Sequence, residues 1–185
     1  ICRLQILASV LWLALMTALI LIARLQPYHD PGSVYHAAEG LLQGDYTQWK
    51  QDGYLYFYPF QNGFVLLECP FLLLFHGNAY LALQLFNMLL WMSAIWAMAG
   101  LTDRLFGEKT GRLTFFLLLC FLPMWGYVTY NYGTVPGLAC SIWSFVCLFR
   151  CIDTRQLRYA VLSAILMGLA VLYKSNYEIF SVAAV

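Results

Sequence analysis

Long apolar stretches separated by short polar turns dominate this chain. Most of them approach the roughly 20 mainly apolar residues that a helix needs to cross a bilayer, and the last begins close to the end of the sequence. The predicted spans are residues 6–25, 79–101, 112–128, 135–150, 158–173 and 178 onward. The pattern therefore predicts an all-α, polytopic transmembrane helical bundle.

Composition favours the same class. Hydrophobic residues make up 62% of the chain and charged residues 10%, whereas a soluble domain has about 45–50% apolar and about 25% charged residues. A formal net charge of +1 gives no indication of a nucleic-acid partner. The six cysteines follow no metal-ligand spacing, and we predict no disulfide framework from them.

The longest polar stretch, residues 26–78, separates the first two spans and contains a first short helical pattern. In residues 31–43 apolar side chains recur at helical spacing with a polar face opposite, and Gly44 is a typical helix terminator. Asp30 followed by Pro31 is typical of a helix start, so we expect Asp30 to cap this helix. The pattern indicates an amphipathic helix at the membrane surface.

A second helical pattern covers residues 63–75. This segment is apolar but shorter than a span, which is more typical of an interfacial helix. It also contains Glu68, which would be costly in lipid and is therefore expected to face water or the protein interior. The prediction for this part of the chain is an outer loop with two interfacial helices.

The positions of lysine and arginine predict the orientation, because cytoplasmic loops carry an excess of both. If residues 63–75 do not cross the membrane, seven of the ten cations lie in the cytoplasm, and residues 26–78 lie outside. If they cross, eight of the ten lie outside, so the first arrangement is favoured. Its cytoplasmic cations are Arg3, Arg104, Lys109, Arg112, Arg150, Arg155 and Arg158.

Asp30 is the first candidate for chemistry, because it follows the first span closely and is predicted to lie at the outer surface. An outward carboxylate can act as a general base or a metal ligand, and its second oxygen can still cap a helix. Lys174 and Arg24 are predicted at the same surface. Each either extends to the interface from an apolar helix or pairs with an anion such as phosphate.

Several short motifs then occur in a fixed order, on matching sides of the predicted membrane. After Asp30 come AEGLLQG at residues 38–44, YPFQNG at 58–63, RLFG at 104–107 and YGTVP at 132–136. In this arrangement the chain resembles the N-terminal part of the GT-C superfamily of integral membrane glycosyltransferases. It is similar to the bacterial relatives of protein O-mannosyltransferases and of lipid A aminoarabinose transferases.

The resemblance implies transfer of a sugar, with inversion, from a polyprenyl-phosphate carrier to an acceptor of unknown identity. The reaction is expected on the outer face of the bacterial cytoplasmic membrane. The resemblance implies that Asp30 is the catalytic base and that Lys174, together with Arg24, binds the donor phosphate. Candidates for the substrate cavity are His29, Tyr58, Gln61, Asn62 and Tyr132.

No cofactor is expected. The loop at residues 129–134 carries no second acid, and Pro31 stands where some relatives have a paired acid, so a divalent metal is not favoured. Because members of this superfamily have more spans, we expect residues 1–185 to be the N-terminal part of one transmembrane catalytic domain.

Two non-enzymatic classes stay open at this point. The first is a transporter or flippase subunit, and the second is a membrane scaffold whose outer loop binds a partner. A transporter should place polar or broken-helix residues near the bilayer midplane. Here polarity is concentrated at the predicted outer surface, which favours the enzyme.

Overall fold

The computed structural model describes residues 3–183, and all regular structure in this range is helical. The all-α helical bundle predicted from the sequence is confirmed. Short 3₁₀ turns connect several of the helices. The helices are α1 (Arg3–Ala23), α2 (His29–Gln43), α3 (Tyr54–Phe57), α4 (Asn62–Phe75), α5 (Ala79–Phe106), α6 (Glu108–Leu119), α7 (Leu122–Thr129), α8 (Thr134–Thr154), α9 (Leu157–Tyr173) and α10 (Glu178–Ala183).

The main hydrophobic core lies between α1, α5, α6, α7 and α8. On α1, Trp12 is only 4% exposed, whereas Leu11 beside it is 62% exposed. A helix with one face in a protein core and an apolar opposite face is typical of a membrane bundle, because lipid covers the outer face. The chain is therefore an integral membrane protein.

Within residues 3–183, three helical runs are long and apolar enough to cross a membrane: Arg3–Ala23, Pro59–Phe106 and Thr134–Thr154. A fourth is obtained if the bent pair α6 and α7 is one span, and α9 is a shorter apolar helix of 17 residues. The predicted span at 112–128 is thus two helices at 55° to each other.

Proline chemistry explains the break between α6 and α7. Pro123 has no N–H to donate to the carbonyl of Leu119, one helical turn earlier. The indole nitrogen of Trp125 donates to that carbonyl instead, at 3.1 Å. The predicted span at 112–128 is therefore bent at this point, and whether it crosses the membrane stays a prediction.

The run from Pro59 to Phe106 is not a straight rod. The rings of Phe71 in α4 and Phe86 in α5 lie 5.2 Å apart, whereas residues so far apart on a straight helix are separated by about 22 Å. His76, with a φ of 47°, is the left-handed residue at the turn between the two helices. Helix α4 therefore folds back against α5, in agreement with a segment that does not continue the span.

Helix α2 ends as predicted but begins differently. Gly44 is left-handed, with a φ of 77°, and its N–H bonds the carbonyls of Gly40 and Leu41. The N-cap is Tyr28, without a side-chain capping bond, and Asp30 lies inside the first turn. The prediction that Asp30 caps this helix was therefore wrong, because the helix starts before it, at His29.

The apolar face of α2 is covered by protein. Val34, Ala37 and Ala38 are fully buried, and they share a second core with Phe64 and Val65 of α4. Glu68 of α4 is also fully buried, so its predicted interior position is confirmed. The two short helices of the 26–78 loop thus form one packed unit, and this unit carries Asp30 at its edge.

The loops that were predicted to share one side of the membrane do lie together. Arg104, in the first predicted inner turn, donates to Asp153, in the second, at 2.6 Å. At the other end of the bundle, Tyr132 contacts both Asp30 and Lys174. Which end faces the cytoplasm stays a prediction from the charges.

Candidate active site

Three segments that are distant in sequence meet at Tyr132, in the turn between α7 and α8. The Tyr132 hydroxyl donates to Oδ2 of Asp30 at 3.4 Å. The ammonium nitrogen of Lys174 lies over the Tyr132 ring, 4.1 Å from its centre, which is cation–π geometry. One tyrosine therefore joins the predicted base to the predicted phosphate ligand.

A second tyrosine extends this arrangement. The hydroxyls of Tyr54, in α3, and Tyr132 are hydrogen bonded at 2.8 Å. Burial raises the pKa of both phenols, so both remain protonated in the neutral range. A chain of two neutral hydroxyls thus leads from α3 to the exposed carboxylate of Asp30.

Lys174 is half-buried at the C-terminal end of α9. Burial lowers the pKa of its ammonium, and the charge of Asp30 opposes that shift. Among residues 3–183, the ion pairs within 4.0 Å are His36–Glu39, Arg104–Asp153 and Arg112–Glu108, so Asp30 and Lys174 interact without forming a salt bridge. The cation is therefore left available for an anion.

Two glycines place Lys174 over Tyr132. Gly133 is left-handed, with a φ of 72°, and a Cβ there would overlap the carbonyl oxygen of Tyr173. A Cβ on Gly63 would overlap the carbonyl of Leu172 in the same way. Because neither glycine has a side chain, the end of α9 packs directly against the start of α4 and the loop before α8. Lys174 is the residue that follows α9.

Three buried amides anchor the loop that carries Tyr132. Asn131 is fully buried; its side chain accepts a hydrogen bond from Asn87 at 2.6 Å and donates to the Tyr80 carbonyl at 3.3 Å. Gln84 donates to the carbonyl of Thr129 at 3.0 Å. These three residues were not among those predicted from the sequence. The available signal was the pair Gln84 and Asn87, one turn apart inside an apolar span, where polar side chains are costly without partners.

Of the other predicted site residues, Tyr58 lies next to the group around Tyr132, whereas Arg24 and His29 have different surroundings. Tyr58 packs on Tyr54, with ring centres 4.8 Å apart, and so adjoins the group around Tyr132. Arg24 lines a separate cavity of about 220 Å³ between α1 and α5, with Gln84 on its wall. His29 lies against the ring of its neighbour Tyr28, at 3.9 Å.

Gln61 and Asn62 lie at the start of α4. Asn62 accepts a hydrogen bond from the indole of Trp49 and donates to the carbonyl of Pro59, both at 2.7 Å. Gln61 is 1% exposed, and within the part of the chain that the structure describes its side-chain oxygen has no hydrogen-bond partner. Asn62 therefore holds the α3–α4 connection together, and Gln61 is a buried acceptor close to Gly63.

Within the same residues, no three side chains of His, Cys, Asp or Glu are grouped closely enough to hold a metal ion. The arrangement around Tyr132 instead offers one free carboxylate, two neutral phenols and one ammonium. A carboxylate can accept a proton, and an ammonium can stabilise a leaving anion.

Comparison with known proteins identifies the family of the chain. The family model described as dolichyl-phosphate-mannose-protein mannosyltransferase matches residues 67–185, more than half of the chain. The matched range includes Tyr132 and Lys174, and Asp30 precedes it. No curated protein and no solved structure matches the chain. The chain therefore belongs to the dolichyl-phosphate-mannose-protein mannosyltransferase family, as a membrane glycosyltransferase of the GT-C type that uses a lipid-linked sugar donor.

Proposed function

We propose that this protein transfers a sugar from a polyprenyl-phosphate carrier to an acceptor hydroxyl, with inversion, on the outer face of the bacterial cytoplasmic membrane. Asp30 removes the proton from the acceptor hydroxyl, whose oxygen then bonds the anomeric carbon. The bond from that carbon to the phosphate oxygen breaks, and polyprenyl phosphate leaves with the electron pair. Lys174 stabilises the negative charge on the leaving group.

The observation that carries this proposal is the position of Tyr132 between Asp30 and Lys174. An inverting transfer needs a base on one side of the sugar and a cation near the leaving phosphate on the other. The two charged groups interact electrostatically, but they lie too far apart for a salt bridge. Both charges therefore stay available to a substrate that binds beside the Tyr132 ring.

The state of Asp30 suits a general base. Its side chain is exposed, so an acceptor can reach it, and Tyr132 donates to one of its two oxygens. That hydrogen bond fixes the orientation of the carboxylate. The second oxygen is then free to take the proton.

The state of Lys174 suits a phosphate ligand. A partly desolvated ammonium attracts an anion more strongly than one in bulk water does. Lys174 also follows the contact between Gly63 of α4 and Leu172 of α9, and Leu172 is exposed and apolar. A prenyl chain can lie along that surface while its phosphate reaches the lysine. We assign the phosphate to Lys174 rather than to Arg24, because Arg24 lines a different cavity.

A transfer assay with radiolabelled lipid-linked sugar and the full-length protein tests the proposal. Asp30→Asn should abolish transfer while the protein still inserts into the membrane. Asp45→Asn is a matched control, because Asp45 is exposed in the same loop and only accepts local hydrogen bonds from Thr47. Near-normal transfer by Asp30→Asn would exclude the base assignment.

A further inference from the structure

A cavity of about 640 Å³ lies apart from Asp30. It opens between α2, the turn from α4 to α5, and the residues that precede α2. Its volume is within the range of about 300–1,000 Å³ that is usual for small-molecule sites. The proposed reaction makes no use of it.

Helical geometry separates this cavity from the transfer site. Glu39 lines the cavity and follows Asp30 by nine residues on α2. At about 100° per residue the two side chains point to opposite sides of the helix. Among the residues that the structure describes, none that lines the cavity shares a hydrogen bond or a ring contact with Lys174 or Tyr132. A ligand bound here would therefore be held by one face of α2 while the reaction takes place at the other.

The polar groups in the wall fit a neutral ligand rich in hydroxyl groups. They comprise amides, imidazoles, phenols and one carboxylate, from Gln26, Tyr35, His36, Glu39, Gln43, His76 and Tyr80. His36 and Glu39 bond each other at 2.9 Å, so the carboxylate already has a partner. Among the residues that the structure describes, neither lysine nor arginine lines this cavity. A phosphate or another anion would therefore find no cation there.

Two tyrosines form the inner wall. The rings of Tyr35 and Tyr80 meet edge to face, with centres 5.4 Å apart, and contribute aromatic surface to the cavity. Saccharides combine hydroxyl groups, which donate and accept, with apolar C–H faces. The amides and imidazoles of the wall can hydrogen bond the hydroxyl groups, and the aromatic rings can pack against the C–H faces.

A buried acid behind this wall is a second, independent observation. Glu68 is fully buried, and neither carboxyl oxygen has a hydrogen-bond partner within residues 3–183. It interacts electrostatically with Glu39, Tyr35 and Tyr80, all of which line the cavity. Leu72, one turn further along α4, lines the cavity as well. A buried polar group without a partner is costly, and such groups are rare outside functional sites.

We propose that this cavity is a binding site for a neutral oligosaccharide, separate from the transfer centre. It would hold the carbohydrate part of an acceptor while the reacting hydroxyl lies at Asp30. The saccharide site itself does not depend on the role of Asp30. Binding at the cavity and transfer at Asp30 can therefore fail independently.

Mannotriose is a suitable probe, with the full-length protein in lipid nanodiscs and binding measured by calorimetry. The double variant His36→Ala/Gln43→Ala removes two exposed polar groups of the wall. It is expected to weaken binding by about tenfold or more, since each lost hydrogen bond is worth about fivefold. Lys50→Ala, an exposed change in the same loop outside the cavity, should bind as the unaltered protein does.

Two further measurements make the test decisive. Asp30→Asn should bind mannotriose normally even though it transfers no sugar, which separates this proposal from the one above. Inorganic phosphate should show no binding that depends on His36 and Gln43. Failure of the unaltered protein to bind mannotriose would overturn the proposal, and so would equal affinity in the double variant.

Discussion

The hydroxyl of Tyr132 lies 3.4 Å from a carboxylate oxygen of Asp30, although more than one hundred residues separate them in the chain. The face of the same ring lies under the ammonium of Lys174. Tyr132 therefore links the position of Asp30, the proposed base, to the position of Lys174, the proposed phosphate ligand. We expect Tyr132 to orient both groups without reacting itself.

Tyr132→Phe should reduce kcat severalfold, because it removes a hydrogen bond that orients Asp30 and is worth about 0.5–1.5 kcal/mol. The ring remains under Lys174, so the KM for the lipid-linked donor should change little. Tyr132→Leu removes both contacts and should also raise the donor KM. Steady-state kinetics on both variants separates the two roles, and an unchanged kcat in Tyr132→Phe would contradict the orienting role.

Lys174→Met should lower kcat/KM for the lipid-linked donor roughly 100-fold, since it removes the charge proposed to stabilise the leaving phosphate. The long apolar side chain of methionine fills similar space, so the variant should still fold. Lys50→Met is the matched control, because Lys50 is exposed and lies in the same predicted outer loop. Equal losses in the two variants would indicate a general effect of charge at the membrane surface.

Sugar transfer should begin to fall at a lower alkaline pH than it would if Lys174 had the pKa of an ordinary lysine. Burial lowers the pKa of Lys174, so its ammonium loses a proton below the usual value of about 10.4, and donor binding is lost with it. The same shift means that the charged lysine costs folding free energy below its folded-state pKa. That cost is relieved as the pH rises through the folded-state pKa.

Lys174→Arg provides the check on this pH dependence. Arginine stays charged throughout the accessible range, so the variant should keep donor binding at high pH even if its maximal rate is lower. The pH profile of kcat/KM for the donor measures the effect. An alkaline limb at the same pH in both proteins would show that another group is titrating.

Gly133→Ala should destabilise the protein by roughly 1–3 kcal/mol, because alanine is strained at a left-handed φ and its Cβ meets the Tyr173 carbonyl. Gly168→Ala is the matched control. Gly168 lies in α9 with open space around it, and alanine there favours the helix. Thermal unfolding in detergent should show a lower midpoint for the first variant alone, and equal midpoints would argue against the close approach.

Asn87→Leu should lower both stability and transfer. It leaves the buried side-chain oxygen of Asn131 without its donor, at a cost of about 1–3 kcal/mol, and loosens the loop that carries Tyr132. The expected signature is a lower kcat together with faster proteolysis of the 129–134 loop. Normal transfer despite a loosened loop would show that this anchor does not position Tyr132.

The sequence was informative where the signal is local. Apolar length predicted the long helices, Gly44 was recognised from its flanking pattern, and the cost of a charge in lipid located Glu68. The break between α6 and α7 was missed, because Pro123 lies near the middle of a uniformly apolar run. The start of α2 was missed as well, since the Asp-Pro pair is a strong capping signal that the structure does not use.

The site was only partly predictable for a related reason. Asp30 and Lys174 could be assigned to one surface from charge and span counting. Their shared contact with Tyr132 depends on the close approach of α9 to the start of α4 and to the loop before α8. This approach is possible because Gly63 and Gly133 have no side chains. Hydropathy periods carry no information about such contacts between distant segments.

A single-turnover experiment tests the central claim most directly. Lipid-linked donor is bound to the full-length Asp30→Asn protein, acceptor is added, and the rate of sugar transfer is compared with that of the unaltered protein. The account predicts donor affinity within about twofold of normal and transfer slower by at least about 100-fold, the size expected for loss of a general base. Transfer at the unaltered rate from a normally bound donor would contradict it.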